Sequence, residues 1–455
     1  MSIIGAFMVP HPPLIIPEVG KGSEHQVDKT IFSYQKIAKE IAILKPETII
    51  ISSPHAEYYS DYFYISGSNR VSGNFGSFGA SRVTFAEEID IELAKEIERI
   101  AKKENFPCGC IEDETLDHGT MVPLYFIRKE LPKCKIIIVG LSTLPLIDNY
   151  HFGMIIKEAV NKLNKKVVFV SSGDLSHKLQ EYGPYGFSKE GPIYDERIID
   201  TMSKAKFNEL LEYEEYFLEK AAECGHRSFT IMAGTLDGLD VNSKFLSHED
   251  ITGVGYGICS FIPKEKNKER EFFNKYIKKI IANNHSEDEY VNLAKKTINT
   301  FIKEKKKIDV PKELSKELLN NKAGVFVSIH KFGQLRGCIG TFLPTTSSIA
   351  EEIINNAISA SINDPRFPAI TEDELDYLNI NVDVLSYPEH ISSKDELDPK
   401  KYGVIVSSGN KKGLLLPNID GVDTIEEQIN IANNKAGIYK DEKYELEKFE
   451  VIRHE

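Results

Sequence analysis

The sequence predicts an α/β N-terminal domain with a largely parallel central sheet, followed by an α+β domain. In the first part of the chain, short β-branched runs bounded by Pro, Gly and Ser alternate with segments of helical periodicity. This order favours parallel strands with helices on both faces. In the second part, strands and helices follow one another without repeated strand–helix–strand units, which is typical of an α+β domain.

The predicted elements of the first domain lie within residues 1–263. Strands are predicted at Ile3–Val9, Thr48–Ser53, Lys135–Leu141, Val167–Ser172, Ser243–Ser247 and Gly253–Ile262. Helices are predicted at Phe32–Leu44, Ile89–Glu104, Phe152–Leu163, Tyr194–Ser203, Lys206–Tyr213 and Arg227–Leu236. The glycine- and serine-rich passage Ser66–Ser81 receives no regular element, and Pro263 is expected to end the last strand.

After Pro263 the composition changes. Residues 264–285 are charged and helical in period, which predicts a helical linker before a second domain at 286–455. Ser286 with Glu289 resembles a capping box at the start of a helix. Helices are predicted at Glu287–Lys303, Ser348–Ser361 and Thr424–Ala436, and strands at Gly324–His330, Gln334–Gly340, Ile380–Leu385, Gly403–Ser407, Gly413–Leu416 and Tyr444–Ile452. A tight turn at Lys331–Gly333 joins the first two strands.

Composition excludes several classes of function. The formal net charge of −13 over 455 residues argues against a nucleic-acid backbone or an anionic membrane as the main partner. No run approaches the roughly 18 apolar residues that a membrane span needs, and the N-terminus lacks the basic start of a signal peptide. The six cysteines form neither a disulfide framework nor paired zinc knuckles, so we expect a cytoplasmic protein.

Four histidines each follow the end of a hydrophobic run: His11 in VPHPP, His55 in SSPHAEYY, His118 in LDHGT and His177 in SSGDLSH. Ligands of open α/β sheets bind beyond the carboxyl ends of the strands, so these imidazoles are expected to share one pocket. A single histidine of this kind is more often structural, and it is the recurrence that favours a metal site. Asp174, three residues before His177, is expected to orient an imidazole or to hold the loop.

Two histidines and one carboxylate form a site that suits Fe(II) and leaves positions open for substrate and dioxygen. His11 and His55 are the natural pair, and Glu223 or Cys224, before a predicted helix, is the third candidate. Neighbouring helical positions diverge by about 100°, so only one of these two side chains is expected to face the metal. Glutamate would favour iron, whereas cysteine would make the site softer; a solvated glutamate beside a buried cysteine stays open as an alternative.

In the second domain, the segment Leu335–Thr341 (LRGCIGT) contains two glycines within a strand pattern, which indicates a bulge or a close backbone approach. Arg336 is suited to bind a carboxylate or phosphate, and Cys338 would be reactive if its thiolate were stabilised. On residue chemistry alone, a structural strand with a buried thiol is the favoured interpretation.

The ordered set PHPP, SSPHAEYY, LDHGT, SSGDLSH and ECGHR resembles the LigB-like class III extradiol ring-cleavage dioxygenases, and also the related Memo proteins. The resemblance implies that His11 and His55 bind iron, that His177 is the catalytic acid/base and that His118 faces substrate and oxygen. The third ligand is glutamate in the enzymes and cysteine in Memo proteins, and Glu223 and Cys224 adjoin.

The motifs LRGCIGT, DPRFPAI, KGLLLP and EEQINIANNKAGI resemble the AMMECR domain, a two-part α+β fold with a cleft near the first motif. The resemblance adds Asp364 and Arg366 to Arg336 and Cys338 as candidates for binding a substrate or partner. The order of the two halves resembles the A proteins of the AmmeMemoRadiSam system, which occur beside a Memo-like protein and a radical S-adenosylmethionine enzyme. These two proteins are therefore the expected partners, and a homo-oligomer is left open.

Together these observations predict a non-haem Fe(II) oxidoreductase that acts on a catechol-like or otherwise chelating small molecule. Two alternatives remain: a Memo-like scaffold that binds iron or copper without turnover, and a zinc hydrolase or lyase on the same ligands, since two histidines and a carboxylate also suit zinc.

Overall fold

The computed structural model describes residues 3–283, 286–419, 421–439 and 442–455. The chain divides into two compact units, the first ending at Tyr276 and the second beginning at Ile277. Residues 264–266 of the predicted linker continue the last strand of the first unit, and a helix spans Phe272–Asn283. The final linker residues, 284 and 285, lie outside the described part of the chain.

Ten strands and nine α-helices lie within the described residues 3–283, and the last of these helices crosses the boundary between the two units. The strands are β1 (Ile3–Val9), β2 (Thr48–Ser52), β3 (Phe63–Ser66), β4 (Arg70–Phe75), β5 (Ala80–Glu88), β6 (Cys108–Ile111), β7 (Lys135–Val139), β8 (Val167–Ser172), β9 (Leu239–Glu249) and β10 (Tyr256–Lys266). The helices are α1 (Pro17–Gly20), α2 (Asp28–Leu44), α3 (Ile91–Lys103), α4 (His118–Glu130), α5 (Leu146–Leu163), α6 (Glu190–Ser203), α7 (Glu215–Ala221), α8 (His226–Thr235) and α9 (Phe272–Asn283). The predicted helix at Lys206–Tyr213 is a 3-10 helix, Phe207–Glu212.

Eight of these strands form one sheet in the order β6–β3–β7–β2–β8–β1–β10–β9. The central pairs β7–β2, β2–β8 and β8–β1 are parallel, whereas β10 and β9 add an antiparallel edge. Every residue of β2 and β8 is buried, as expected for parallel strands covered by helices on both faces. The predicted fold class of the first domain is therefore confirmed.

Several elements differ from the sequence prediction. The passage Ser66–Ser81, predicted as irregular, contributes to the β4–β5 hairpin, a separate two-stranded sheet. The glycines of this passage weaken its strand pattern. Gly73 is nevertheless required by packing, because a Cβ on this residue would lie within 3 Å of Leu116 and Met121. Helix α4 was also missed; it begins at the cap Asp117, which accepts a hydrogen bond from the amide of Thr120.

The expectation that Pro263 ends the last strand is wrong. Strand β10 continues to Lys266, with Pro263 paired to Val241 of β9. On its other side β10 contacts β1 only as far as Phe261. Beyond that residue the strand has a partner on one side alone, and such an edge tolerates proline where the missing N–H would face the open side.

The described part of the second unit is an α+β domain. Its strands are β11 (Gly324–Lys331), β12 (Gln334–Thr341), β13 (Leu378–Leu385), β14 (Glu389–Ile391), β15 (Tyr402–Ser408), β16 (Lys411–Leu415) and β17 (Glu445–His454). Its helices are α10 (Glu289–Glu304), α11 (Lys316–Asn320), α12 (Ile349–Ile362) and α13 (Ile425–Ala436). The strands form an antiparallel sheet in the order β12–β11–β13–β17–β15–β16, with β14 beside β17, which confirms the predicted class.

Two local details of this domain follow from sequence chemistry. The cap of α10 is Asp288, which accepts hydrogen bonds from the amides of Tyr290 and Val291, and not the predicted Ser286. Ser286 instead accepts a hydrogen bond from the amide of Asp288. The predicted tight turn is present: Phe332 and Gly333 both have positive φ, the geometry that a two-residue hairpin loop between twisted strands favours.

None of the helices in the described part of the chain combines the length and the apolar character that a bilayer crossing requires. All six cysteines are free thiols.

Candidate metal centre

Three histidines meet at the carboxyl ends of β1 and β2 and at the start of α4. The Nε2 atoms of His11 and His55 lie 3.1 Å apart. The ring of His118 lies over His55, with centroids 4.0 Å apart, and 5.5 Å from His11. One ligand atom of each histidine lies within 4.8 Å of the other two, so the three residues form one cluster.

The proton of His11 is held on Nδ1 by a chain of contacts that begins at Pro123. Proline has no N–H, so within α4 the carbonyl of Gly119 has no partner four residues later. That carbonyl accepts the hydroxyl of Ser172 at 2.6 Å. Ser172 Oγ, with its proton used, is left to accept from Nδ1 of His11 at 3.0 Å. The lone pair of His11 is therefore on Nε2, the atom that faces His55.

Cys224, immediately before α8, brings a thiol to the histidines. Its Sγ lies 3.6 Å from Nε2 of His11 and accepts a hydrogen bond from the amide of Asp174 at 3.2 Å. The carboxylate of Glu223 instead caps α8 by accepting from the amide of His226 at 2.5 Å, and burial raises its pKa to about 7. Within the described ranges, the two groups of potential metal ligands are His11–His55–His118 and His11–Asp174–Cys224, and neither contains Glu223.

Two glycines bring the loop after β8 to the start of α8. A Cβ on Gly173 would lie only 2.1 Å from the Cα of Gly225, so the two backbones are in direct contact. Each glycine adjoins a polar residue of the cluster, Asp174 on one side and Cys224 on the other. This contact allows the amide of Asp174 to reach the sulfur of Cys224.

Asp174 and His177 complete the site from the same loop. Asp174 is buried, and its Oδ1 accepts from the backbone amide of His11 at 2.8 Å, which ties the ends of β8 and β1 together. Burial raises the pKa of Asp174 to about 6, although His177 and the His11 amide oppose the shift. Nε2 of His177 is buried and has no hydrogen-bond partner within the described residues. Burial lowers the pKa of His177, and Asp174 opposes this.

His118 contributes a largely neutral imidazole. Burial, followed by the proximity of His55, lowers its pKa to about 4. Phe78, from the 3-10 turn between β4 and β5, packs edge-on against its ring with centroids 5.3 Å apart. The hairpin that the sequence analysis missed thus forms one wall of the cluster.

The donor set fits a transition-metal ion. Two nitrogen ligands at about 2.1 Å from one metal would be about 3.0 Å apart in octahedral and about 3.4 Å apart in tetrahedral geometry, and the observed separation of 3.1 Å lies in this range. Burial raises the pKa of the Cys224 thiol, so binding a metal through sulfur would release its proton. The Ser172–His11 contact is the kind of supporting hydrogen bond that metal-binding histidines make.

A cavity of about 220 Å³ adjoins the thiol and is lined by Pro54, Tyr58, Leu141, Glu223, Cys224 and Arg227. Nη2 of Arg227 donates to both carboxylate oxygens of Glu215 at 2.9 Å. A larger cavity of about 620 Å³ opens at the opposite edge of the sheet, beside Ile3 at the start of β1, and is remote from the histidines. We therefore take the smaller cavity as the one relevant to chemistry.

Sequence analysis missed Ser172, although its position at the end of a buried strand, like those of the histidines, was a usable signal.

The candidate residues of the second domain are engaged in ion pairs. Arg336 forms a bidentate pair with Glu374 at 2.9 and 3.0 Å and donates to the carbonyl of Pro368. Arg366 forms a bidentate pair with Asp364, whose Oδ2 also accepts from the amide of Cys338. The thiol of Cys338 accepts from the hydroxyl of Ser328 at 3.2 Å. Both guanidinium groups thus brace the backbone around LRGCIGT.

Comparison with known families identifies both halves of the chain. Residues 5–259 match the model described as the catalytic LigB subunit of aromatic ring-opening dioxygenase, and residues 291–454 match AMMECR1. Protein CA_C1420 of Clostridium acetobutylicum is 42% identical over the whole of this chain and 99% of its own length. A Thermotoga maritima protein is 49% identical over 37% of this chain and 98% of its own. The uncharacterized protein JW3007 of Escherichia coli K12, a solved structure, covers 57% of this chain and 99% of its own at 14% identity, with a TM-score of 0.40.

Proposed function

The chain belongs to the family of the catalytic LigB subunit of aromatic ring-opening dioxygenases, joined to an AMMECR1 domain, and from this premise we propose that it is a metal-dependent oxidoreductase. Its substrate in this proposal is a small molecule that chelates Fe(II) through two oxygens. The observation that carries the proposal is the convergence of the Nε2 atoms of His11 and His55 at 3.1 Å with the Cys224 sulfur at 3.6 Å from His11.

In this proposal His11, His55 and Cys224 hold the metal, and Glu223 has the supporting role of capping α8. Bound Fe(II) would supply Lewis-acid and redox chemistry while leaving positions free for substrate and dioxygen. Asp174 serves the site twice, because its carboxylate fixes the backbone of His11 and its amide donates to the Cys224 sulfur. Both contacts preserve the spacing of the ligands.

His177 and His118 serve proton transfer. Burial lowers the pKa of both imidazoles, so both are neutral at pH 7. A neutral His177 can accept a substrate hydroxyl proton at its unpartnered Nε2 and return it later, as a general acid/base requires. The charge that His177 then acquires is stabilised by Asp174. The ring of Phe78 covers one edge of His118.

The AMMECR1 domain is assigned a binding role in the same proposal. The ion pairs of Arg336 and Arg366 shape the backbone, which leaves the Cys338 thiol and the strand surface around it for a substrate or partner. A Memo-like protein and a radical S-adenosylmethionine enzyme are the proposed partners.

The test is dioxygen consumption by protein loaded anaerobically with one equivalent of Fe(II), measured with a panel of catechols. We expect uptake that depends on both iron and catechol. His177→Gln should lower kcat by about 10²–10⁴-fold with little change in iron content. A zinc-loaded sample that hydrolyses or cleaves a substrate without oxygen would contradict the proposal and favour a hydrolase or lyase.

A second candidate function follows from the thiol. Sulfur makes the centre softer than a site with two histidines and one carboxylate, which suits copper or zinc as well as iron. A metal-binding scaffold without turnover is therefore the alternative. Tight and stoichiometric binding of copper or iron, together with no oxygen uptake in the presence of any catechol, would favour it.

A further inference from the structure

The imidazole of His177 packs against a tyrosine ring from the loop that follows it. The ring centroids of His177 and Tyr185 lie 5.0 Å apart and the ring planes are tilted by 31°, within the range of favourable aromatic contacts. Among the described residues, no other aromatic ring contacts His177. Tyr185 itself is 59% exposed. A ring at the protein surface therefore lies on the imidazole that transfers protons in the proposed function.

The imidazole of His177 lacks the hydrogen bond that usually fixes such a ring. Its Nε2 is buried and has no hydrogen-bond partner within the described residues. The carboxylate of Asp174 contacts His11 instead, through the backbone amide at 2.8 Å and Nε2 at 4.0 Å. By contrast, Nδ1 of His11 is fixed by Ser172. The orientation of the His177 side chain therefore depends on packing.

The backbone on both sides of His177 is fixed by hydrogen bonds. The amide of Ser176 donates to Oδ1 of the buried Asp195 at 2.9 Å. The amide of Lys178 donates to Oγ of Ser176 at 3.0 Å. Because the main chain is held in this way, the side-chain torsions of His177 decide where Nε2 points, and a contact with its ring restricts these torsions.

The loop presents Tyr185 through a defined turn. The amide of Gly186 donates to the carbonyl of Gly183 at 3.2 Å, which closes a β-turn. Pro184 and Tyr185 are its two central residues, and proline is favoured at the first of these positions because its ring presets φ. Gly183 in turn packs against Gly253, since a Cβ on Gly253 would lie 2.6 Å from the Cα of Gly183. The backbone of the turn, and not burial of the side chain, thus holds Tyr185 in place.

A second tyrosine of the same loop lacks the contact with the imidazole. Tyr182 is 73% exposed, and its hydroxyl donates to the carbonyl of Ile251 at 3.4 Å. Its ring does not lie against His177. The loop therefore offers a matched residue with the same side chain and a similar exposure, which separates an effect of the ring contact from a general disturbance of the loop.

We propose that Tyr185 is a positioning residue, whose ring holds the imidazole of His177 in the orientation that keeps Nε2 turned away from solvent and towards the substrate. This inference rests on the proposed function. Tyr185 acts through the packing of its ring against His177, and its hydroxyl has no part in the reaction. Without the ring, the imidazole samples other rotamers, and fewer of them present Nε2 to the substrate proton.

The kinetic test compares Tyr185→Ala and Tyr185→Phe with Tyr182→Ala, the matched control. Full-length protein is loaded anaerobically with Fe(II), and dioxygen uptake is measured with the most active catechol of the panel. We expect Tyr185→Ala to lower kcat about tenfold and to change KM by less than about threefold. Tyr185→Phe retains the ring, so its kcat should stay within about twofold of the native value, as should that of Tyr182→Ala.

A second measurement does not require turnover. Diethyl pyrocarbonate modifies accessible imidazoles, and mass spectrometry of the peptide that contains His177 gives the rate at this residue. His25, whose side chain is 74% exposed, provides the reference rate in the same sample. An imidazole released from the Tyr185 ring exposes Nε2 to solvent, so we expect His177 to react about tenfold faster in Tyr185→Ala. Tyr185→Phe and Tyr182→Ala should react at the native rate.

A native kcat in Tyr185→Ala, or a loss that appears in KM alone, would overturn the inference. An equal loss in Tyr185→Phe would also overturn it, because the hydroxyl would then act directly, and an equal loss in Tyr182→Ala would assign the effect to the loop as a whole. If no catechol supports dioxygen uptake, the proposed function fails and the modification rates decide alone. An unchanged rate at His177 in Tyr185→Ala would then reject the positioning role, and a rate that rises only in this variant would support it.

Discussion

The backbones of Gly173 and Gly225 touch, and this contact brings Asp174 and Cys224 within hydrogen-bond distance. A methyl group on Gly173 would lie 2.1 Å from the Cα of Gly225, so one segment must move. We expect Gly173→Ala to destabilise the first unit by about 1–3 kcal/mol and to weaken metal binding by separating the Cys224 sulfur from His11.

Calorimetry and metal titration of this variant check the prediction. Gly186→Ala is a suitable control, because Gly186 has a positive φ of 72° but no atom within 4 Å of its added Cβ. The control should lose some stability through backbone strain and retain metal affinity. A Gly173→Ala protein with native metal affinity would show that the glycine contact does not maintain the site.

The adjacent residues Glu223 and Cys224 are expected to respond differently to substitution. Cys224→Ala removes the sulfur beside His11 and should abolish stoichiometric metal binding or weaken it by at least two orders of magnitude. Glu223→Gln keeps an oxygen for the His226 amide and should bind metal normally. Metal content after anaerobic purification and dialysis distinguishes them, and loss of metal in the glutamine variant alone would assign the third ligand to Glu223.

Ser172 is expected to control metal affinity without contacting the metal. Ser172→Ala removes the acceptor for Nδ1 of His11, so the proton of this imidazole is no longer held away from Nε2. Loss of a hydrogen bond that supports a metal-binding histidine lowers the metal affinity by about 10–100-fold. Ser171→Ala is the matched control, since Ser171 is equally buried but donates to the carbonyl of Phe7. Similar affinities for the two variants in a chelator-competition titration would argue against this role.

Arg336 is expected to stabilise the second domain in a pH-dependent manner. Burial alone would raise the pKa of Glu374, but the hydrogen bonds from Arg336 and from the Thr371 amide, together with the charges of Lys331 and Arg336, outweigh it and the pKa falls to about 2. A depressed carboxyl pKa stabilises the fold above the unfolded value of 4.5, and this contribution is lost as the pH falls towards 2. Arg336→Met should therefore lower the free energy of unfolding of the second domain by about 3 kcal/mol at pH 7. This difference from the native protein should shrink between pH 4.5 and 2.

Urea unfolding at pH 7, 5 and 3 measures this difference. The unfolding transition of the second domain is identified as the one whose midpoint does not change when metal is added. Lys401→Met, which breaks an exposed ion pair 3.6 Å long with Glu450, should leave the transition unchanged. A difference for Arg336→Met that is constant from pH 7 to pH 3 would contradict the assigned cause.

Strands β1 and β8 were predicted with the bounds that the structure has, because short β-branched runs between glycines, serines and prolines allow few alternatives. The β4–β5 hairpin and helix α4 were not predicted, since their own residues carry weak propensities. Gly73 is unfavourable in a strand and Pro123 is unfavourable in a helix. Gly73 is needed for its close contact with Leu116 and Met121. Pro123 leaves the carbonyl of Gly119 free to accept a hydrogen bond from Ser172. Local pattern cannot register such long-range contacts.

The sequence alone determined the two domains and their fold classes, together with the histidines at the ends of buried strands, because hydrophobic periodicity and short motifs are local properties. Only the tertiary structure decided that the sulfur of Cys224, and not the carboxylate of Glu223, faces His11. Two adjacent side chains diverge in direction, and which one faces the cluster depends on how closely a distant loop can approach. Here that approach is set by Gly173 and Gly225, 52 residues apart in the chain and in contact in the fold.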